Sequence, residues 1–176
     1  MEKHNCLKTA ILLAGIFIQA VVGAETELDI AGKFQAPSKP DLPPLKWNRK
    51  SDSKGTLEYL QDGASGSVVM ASEQGGRMGI YSPAVGAKAG DIIRVEATVH
   101  AEEISVCLFQ YAKGASSQTQ QVKASKEGCR ITCTFTVTDV EGKGPTQAIR
   151  VCFQTPKGQQ ATITDAKAYR QEQVTE

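Results

Sequence analysis

Apolar and polar residues alternate with a period of two along much of the chain, most clearly between residues 90 and 111. A turn signal, Gly90-Asp91, precedes a run in which every second residue is apolar: Ile93, Val95, Ala97 and Val99. After a short polar break, a second run places three apolar residues on one face: Ile104, Val106 and Leu108. A period of two is typical of half-buried β-strands, so the two runs predict one β-sheet of a sandwich.

Further short runs with the same period are separated by Gly, Pro, Ser and Asp. The predicted strands are 56–61 with its hairpin partner 67–72, then 77–82, 93–99, 104–111, 130–138, 147–155 and 161–169. Residues 112–128 are rich in Ser, Gln and Lys and predict a loop with a brief pairing at 120–124. Eight or nine evenly spaced strands without a convincing helix indicate an all-β protein, an antiparallel β-sandwich of jelly-roll type.

The two ends of the chain are predicted to lie outside this domain. Lys3 and Lys8 precede an apolar run, 9–22, and the small residues Val22-Gly23-Ala24 close the segment. This pattern is typical of a secretory signal at residues 1–24, and the run is shorter than the roughly 20 apolar residues of a transmembrane anchor. An uncleaved anchor is the alternative. The signal predicts a secreted or periplasmic protein with no transmembrane anchor after cleavage.

Residues 25–45 carry four prolines and predict a tether or an arm along a sheet edge. The single sandwich domain is expected at 46–170 and a frayed polar tail at 171–176. Loss of residues 1–24 leaves 18 basic and 18 acidic side chains. This neutral balance excludes nucleic acid as a partner, because phosphates demand a basic excess, and it disfavours a strongly anionic membrane or polymer.

Four cysteines follow the signal: Cys107, Cys129, Cys133 and Cys152. If the apolar residues of 147–155 face the core, Cys152 faces outward, as Cys107 does on its own strand. An exported chain with an even number of cysteines favours disulfides, so we predict a Cys107–Cys152 bond between neighbouring strands. Cys129 and Cys133 are about 13 Å apart on an extended strand, beyond the reach of a disulfide of about 7 Å between Cα atoms, unless a bulge or bend at Gly128 brings them together. The C-x3-C spacing and a single histidine after the signal argue against zinc.

The order of these features resembles a known family. The segments SPAVGAKAGDIIRVEATV (82–99), ISVCLFQYAKG (104–114), CTFTVT (133–138), AIRVCFQT (148–155) and ATITDAKAY (161–169) carry the resemblance. Together they are similar to a carbohydrate-binding module of the CenC type, a jelly roll of the galactose-binding-like group. The resemblance covers about residues 45–170. It implies a glycan or polysaccharide as ligand, and a structural calcium ion at Asp165 with Asp41 or Glu58.

The outward face of the strands 104–111 and 147–155 is the predicted ligand site. It would carry Phe109, Tyr111, Arg150 and Gln154, joined by Arg94, Glu96 and Thr98 from nearby strands. Aromatic rings suit the C–H faces of sugars, and planar polar side chains suit their hydroxyl groups. The alternative is that the loop 112–128 or the proline-rich arm covers these aromatic residues.

Two other aromatic residues lie near predicted turns, Trp47 and Tyr81. Either could stack against a ligand at the loop rim. For Trp47 the favoured interpretation is a plug, because a lone Trp at the entry to a sandwich more often closes the end of the core.

An enzyme is difficult to assemble from these residues. His100 has no nucleophile motif near it, and the adjacent Glu102 and Glu103 would point in opposite directions on a strand. The sequence therefore favours an exported, non-catalytic, carbohydrate-binding domain without a cofactor. The alternative is an extracellular module that docks an envelope protein through the same sheet face and has no sugar ligand.

Overall fold

The computed structural model describes residues 24–39, 41–62 and 65–171, with the side chains of Asp62 and Ser65 left out. The predicted signal up to residue 23 and the tail after Gln171 lie outside the described residues. The described strands are β1 (Glu25–Leu28), β2 (Asn48–Arg49), β3 (Gly55–Asp62), β4 (Ser65–Ser72), β5 (Met78–Tyr81), β6 (Val85–Gly86), β7 (Ile92–His100), β8 (Glu103–Tyr111), β9 (Ala115–Lys123), β10 (Cys129–Thr136), β11 (Ala148–Thr155) and β12 (Gln160–Gln171).

These strands form two antiparallel sheets that pack as a sandwich. Sheet 1 has the order β10-β7-β12-β4-β3, and β1 also pairs with β12. Sheet 2 has the order β2-β5-β11-β8-β9, and β6 also pairs with β11. The all-β sandwich predicted from the sequence is therefore confirmed, and no helix in the described part of the chain is long and apolar enough to cross a membrane.

The core between the sheets consists of the alternate apolar residues that define the strands. Val106, Leu108, Val151 and Phe153 from sheet 2 and Val99 from sheet 1 are all buried in one cluster. Cys133 belongs to the same cluster, and burial raises the pKa of its thiol to about 11. Burial of such side chains contributes about 25 cal/mol per Å² of apolar surface and is the main stabilising term of the fold.

The chain between β7 and β8 passes from one sheet to the other. Only Ala101 and Glu102 separate these strands, yet β7 pairs with β10 and β12 in sheet 1, and β8 pairs with β9 and β11 in sheet 2. The prediction that the two runs share a sheet is wrong. Ala101 is buried at this crossing, so the corner is part of the core rather than an exposed hairpin turn.

The segment predicted as a loop after β8 is largely a strand. β9 pairs with β8 over its full length, from Tyr111 opposite Ala115 to Glu103 opposite Lys123. Its inward face carries Val122, which packs against the core, but Gln118 and Gln120 occupy the middle of that face. Their Nε2 atoms donate hydrogen bonds of 2.7 Å to the carbonyl oxygens of Thr136 and Thr134 respectively, at the open side of β10.

The proline-rich arm is tied to sheet 1 and to the core. Its first residues form β1 against β12. Farther along, Ile30 and Phe34 are buried in the core cluster. The arm that was expected along a sheet edge therefore forms a strand of sheet 1 in its first part and contributes side chains to the core farther along.

Candidate functional site

The outward face of sheet 2 holds most of the predicted ligand residues. In the strand register Arg150 lies opposite Phe109, and Ala148 lies opposite Tyr111. On the other side of β11, Cys152 lies opposite Tyr81 of β5. Because alternate residues of a strand point to opposite faces, these pairings bring three aromatic rings and one guanidinium onto a common surface.

We call Tyr81, Phe109, Tyr111 and Arg150 the aromatic cluster. The rings of Tyr81 and Phe109 meet edge to face, with centroids 4.9 Å apart and an interplanar angle of 84°. The Arg150 guanidinium carbon lies 5.9 Å from the centre of the Tyr111 ring. All four side chains are half-buried. Burial raises the pKa of Tyr81 to about 12, so its hydroxyl is a neutral donor at physiological pH.

Gln154, the remaining polar residue predicted for this face, is buried rather than open to a ligand. Only 7% of it is exposed, and its Oε1 accepts a 3.5 Å hydrogen bond from the Cys107 thiol. Gly79 on the neighbouring strand allows this packing, since a Cβ there would lie 2.9 Å from Cγ of Gln154. Its assignment as an exposed ligand contact is therefore wrong in this conformation, because neighbouring side chains enclose it.

Cys107 and Cys152 lie next to Gln154 on the same face. They are opposite each other in the register of β8 and β11, so the predicted neighbourhood is confirmed. Both are free thiols here, so the predicted disulfide is absent from this structure. A hydrogen bond from Cys152 lowers the pKa of Cys107 to about 7, and burial raises the pKa of Cys152 well above its usual value.

The two segments predicted as covers lie elsewhere. β9 extends sheet 2 sideways beyond β8, and the arm pairs with β12 of sheet 1. The buried part of this face, which holds Gln154 and the two cysteines, lies next to the short chain after β2. There Lys50, whose side chain is only 14% exposed, is ion-paired with Asp52.

Trp47 acts as a plug, as the favoured interpretation of the sequence expected, and its alternative assignment to the ligand rim is wrong. It is 4% exposed and contacts Phe34 and Phe153, with ring centroids 5.2 and 6.2 Å apart respectively. Its Nε1 donates a 2.9 Å hydrogen bond to the carbonyl oxygen of Ala31. The indole thus closes the space between the arm and β11, where no ring face is left for a sugar.

Arg94, Glu96 and Thr98 lie on the other side of the molecule. They belong to β7, so their outward face is that of sheet 1 and not that of the aromatic cluster. Arg94 pairs there with Glu25 and Glu96, and its guanidinium carbon lies 4.4 Å from the centre of the Tyr169 ring. Their predicted place beside Phe109 is wrong because β7 and β8 are in different sheets.

Asp165 lies in an irregular stretch of β12, where the register shifts between Thr164 and Lys167. Its φ of 48° is left-handed, a conformation that Asp tolerates better than most residues. Its carboxylate is 3.7 Å from Nη1 of Arg130. A cavity of about 530 Å³ beside it is lined by Glu27 and Asp29 among others, but not by Asp41 or Glu58. Among the described residues, no three His, Cys, Asp or Glu side chains are grouped to hold a metal ion.

Two loops that sequence reasoning did not connect frame the Tyr111 end of the cluster. They join β8 to β9 and β10 to β11, and the backbone N–H of Gln147 donates a 2.8 Å hydrogen bond to the carbonyl oxygen of Tyr111. A cavity of about 510 Å³ between them is lined by Lys113, Lys143 and Gln147, together with Gly142, Gly144 and Pro145. The glycines and the proline signalled turns, but nothing in the sequence indicated that the turns would meet.

Comparison with known proteins identifies the fold. No protein-family model and no curated protein matches the chain. Among solved structures, a cyclase from Fischerella sp. TAU is 13% identical with a TM-score of 0.60, covering 86% of this chain and 100% of the cyclase. A CBM4 structure is 15% identical with a TM-score of 0.53, covering 80% of this chain and 98% of that one. Arabinose-bound MgGH51 α-L-arabinofuranosidase is 14% identical with a TM-score of 0.53, and the match covers 85% of this chain but 27% of the arabinofuranosidase.

These similarities establish the fold. It is a β-sandwich of the kind seen in carbohydrate-binding modules. At such low identities the likeness establishes the fold alone, and one fold supports unrelated functions. The same architecture occurs in a cyclase, so the function must be argued from the residues of the site.

Proposed function

We propose that this chain is an exported, non-catalytic, carbohydrate-binding domain that holds a glycan against the outward face of sheet 2. The observation that carries the proposal is the aromatic cluster. Tyr81, Phe109 and Tyr111 form a half-exposed apolar surface, and Arg150 adds a planar group with several donors beside it. Ring faces pack against sugar C–H groups, while the guanidinium and the tyrosine hydroxyls bond to sugar hydroxyls.

The chemistry of the cluster supports binding rather than catalysis. The neutral hydroxyl of Tyr81 and the guanidinium of Arg150 offer hydrogen-bond donors but no general base near neutral pH. A fold similar to that of a CBM4 structure is compatible with this role.

A pair of matched tyrosine substitutions tests the proposal. Tyr111→Ala should weaken binding to a responsive polysaccharide by about five- to tenfold in affinity electrophoresis, because the stacking surface is lost. Tyr111→Phe keeps the ring and should cost less than about twofold. Tyr169→Ala removes the other tyrosine that lies beside an arginine, on the outward face of sheet 1, and should leave binding unchanged.

The same variants can also contradict the proposed ligand face. If Tyr111→Ala lowers the unfolding free energy by about 3–5 kcal/mol, the ring belongs to the core and the proposed face is not a ligand site. If no polysaccharide is retained although the variants fold normally, the module that docks an envelope protein becomes the better reading.

Export is the second part of the proposal. β1 starts at Glu25, whose carboxylate pairs with Arg94, so cleavage after Ala24 leaves the first strand whole. N-terminal sequencing of protein recovered from the periplasm or the medium should begin at or very near Glu25. Recovery of chains that retain residues 1–24 contradicts export by cleavage.

A further inference from the structure

The charges around the aromatic cluster are unevenly distributed. At the end near β2, Lys50 is neutralised by Asp52. At the Tyr111 end, Arg150 has no carboxylate partner among the described residues and makes no hydrogen bond there, whereas Arg94, Arg130 and Arg170 are each paired with acidic groups. A half-buried guanidinium without a counter-ion is ready to bind an anion.

The cavity at this end adds two more cations. Lys113 and Lys143 line it, and the backbone N–H of Lys113 donates a 3.4 Å hydrogen bond to the carbonyl oxygen of Lys143. The stem of Lys143 lies against Gly114, where a Cβ would be 3.0 Å from Cγ of the lysine. Neither ammonium group is ion-paired within the part of the chain that the structure describes, so the loops hold two free positive charges beside Tyr111.

The cavity at the Tyr111 end differs from two other cavities of the molecule in the sign of the charged residues that line it. The cavity beside Asp165 mixes Glu27 and Asp29 with Lys33, Lys46 and Lys167, and a third cavity combines Glu102 with Lys126, 2.6 Å apart. The cavity at the Tyr111 end has lysines as its only charged lining residues. The acidic residues of the same loop, Asp139 and Glu141, are not among its lining residues, and Asp139 Oδ1 accepts a 3.4 Å hydrogen bond from the backbone N–H of Thr146.

We infer that the glycan carries carboxylate groups, as a polymer of uronic acids does. Arg150 binds one carboxylate through its planar fork while the sugar ring packs on Tyr111, and Lys113 and Lys143 bind the next acidic residue at the rim. The inference rests on the proposed function. The overall charge balance after the signal is neutral and by itself disfavours an anionic polymer, but binding depends on the local charge of the contact surface.

The test compares polygalacturonate with the same polymer after complete methyl esterification, using the purified protein in affinity electrophoresis. We expect about tenfold tighter retention by the acid form at low salt, since a few part-exposed ion pairs together supply that ratio. The preference should shrink between about 50 and 500 mM salt, because added salt screens the attraction between the cations and the carboxylates. The double variant Lys113→Ala/Lys143→Ala should lose most of this preference and keep only the part that Arg150 supplies.

A second double variant controls for net charge. Lys123→Ala/Lys157→Ala removes two positive charges at the opposite end of sheet 2, one on the last residue of β9 and one just after β11, and should keep the preference. If the wild-type protein retains neutral and acidic glycans equally at all salt concentrations, the inference is overturned while the proposed function stands. A preference that is undiminished after loss of Lys113 and Lys143 also overturns it. If no glycan is retained at all, both fail.

Discussion

Cys107 and Cys152 are opposite each other in the register, yet their environments shift their pKa values in opposite directions. The hydrogen bond from Cys152 lowers the pKa of Cys107 to about 7, and burial keeps Cys152 protonated. A thiolate is the attacking species in disulfide formation, and with a pKa of about 7 a substantial fraction of Cys107 is thiolate at neutral pH while Cys152 stays protonated. The arrangement is poised for oxidation even though both thiols are free here.

Mild oxidation should therefore link Cys107 to Cys152 without any change of strand register. Non-reducing peptide mapping is expected to recover the two peptides joined, and to recover Cys129 and Cys133 unlinked, because they lie four residues apart on β10. Cys107→Ser should abolish the link. Recovery of Cys107 joined to Cys129 or Cys133 instead would contradict the pairing of β8 with β11.

Individual side chains were predictable where strand parity alone decides their direction. Parity correctly placed Val151 inside and Cys152 on the opposite face. It did not foresee that Gln154 would be enclosed, because enclosure depends on Gly79 and on the chain after β2, which come from distant parts of the sequence. Direction is a local property of a strand, but exposure depends on tertiary contacts.

At the scale of the strands, β9 shows where hydrophobic periodicity fails. The inward face of this strand carries glutamines, so the period of two exists in the structure but not in the hydropathy of the residues. The prediction of the sheet that contains β7 failed for a different reason. A two-residue connection is typical of a hairpin within one sheet, but here it joins strands of different sheets. Sequence reasoning therefore found most strands but not how they are divided between the sheets.

Gln110 on β8 forms a buried polar network with β9 and with the chain just after β10. It is 1% exposed, its Oε1 accepts a 2.7 Å hydrogen bond from the backbone N–H of Thr138, and its Nε2 donates to Ser116 and Thr138. Gln110→Ala leaves these partners unsatisfied, so we expect the unfolding free energy to fall by about 1–3 kcal/mol in urea titrations. Gln121→Ala, an exposed glutamine on β9, should change it by less than about 0.5 kcal/mol.

The stability of the whole molecule should depend on pH in the alkaline range. Burial raises the pKa of Cys133 to about 11 and that of Tyr81 to about 12, while unfolded Cys and Tyr ionise near about 8.5 and 10. The unfolded chain therefore loses protons that the folded chain retains, and the unfolding free energy must fall as pH rises from about 9 to 11.

Cys133→Ala should flatten that fall, by at most about 1.4 kcal/mol per pH unit, the slope of one proton. Cys129→Ala removes a half-buried thiol from the same strand and is the matched control. Urea titrations between pH 8 and 10.5 provide the measurement. An equal slope in the wild-type protein and in Cys133→Ala would mean that this thiol is not shielded from solvent in the folded state.

The glutamines of β9 have a consequence for how copies of this protein meet in solution. Among the described strands, β9 and β10 are the last of their sheets, and hydrogen bonds between them place both on the same side of the sandwich. The unpaired carbonyl groups of an edge strand can pair with the backbone of another chain. Two such groups on β10, those of Thr134 and Thr136, already accept hydrogen bonds from Gln120 and Gln118. A second copy would have to displace these amides to add a strand. Gln118 and Gln120 on the inner face of β9 thus occupy acceptors on the edge of the opposite sheet and disfavour self-association there, a role that apolar residues at these two positions could not fill.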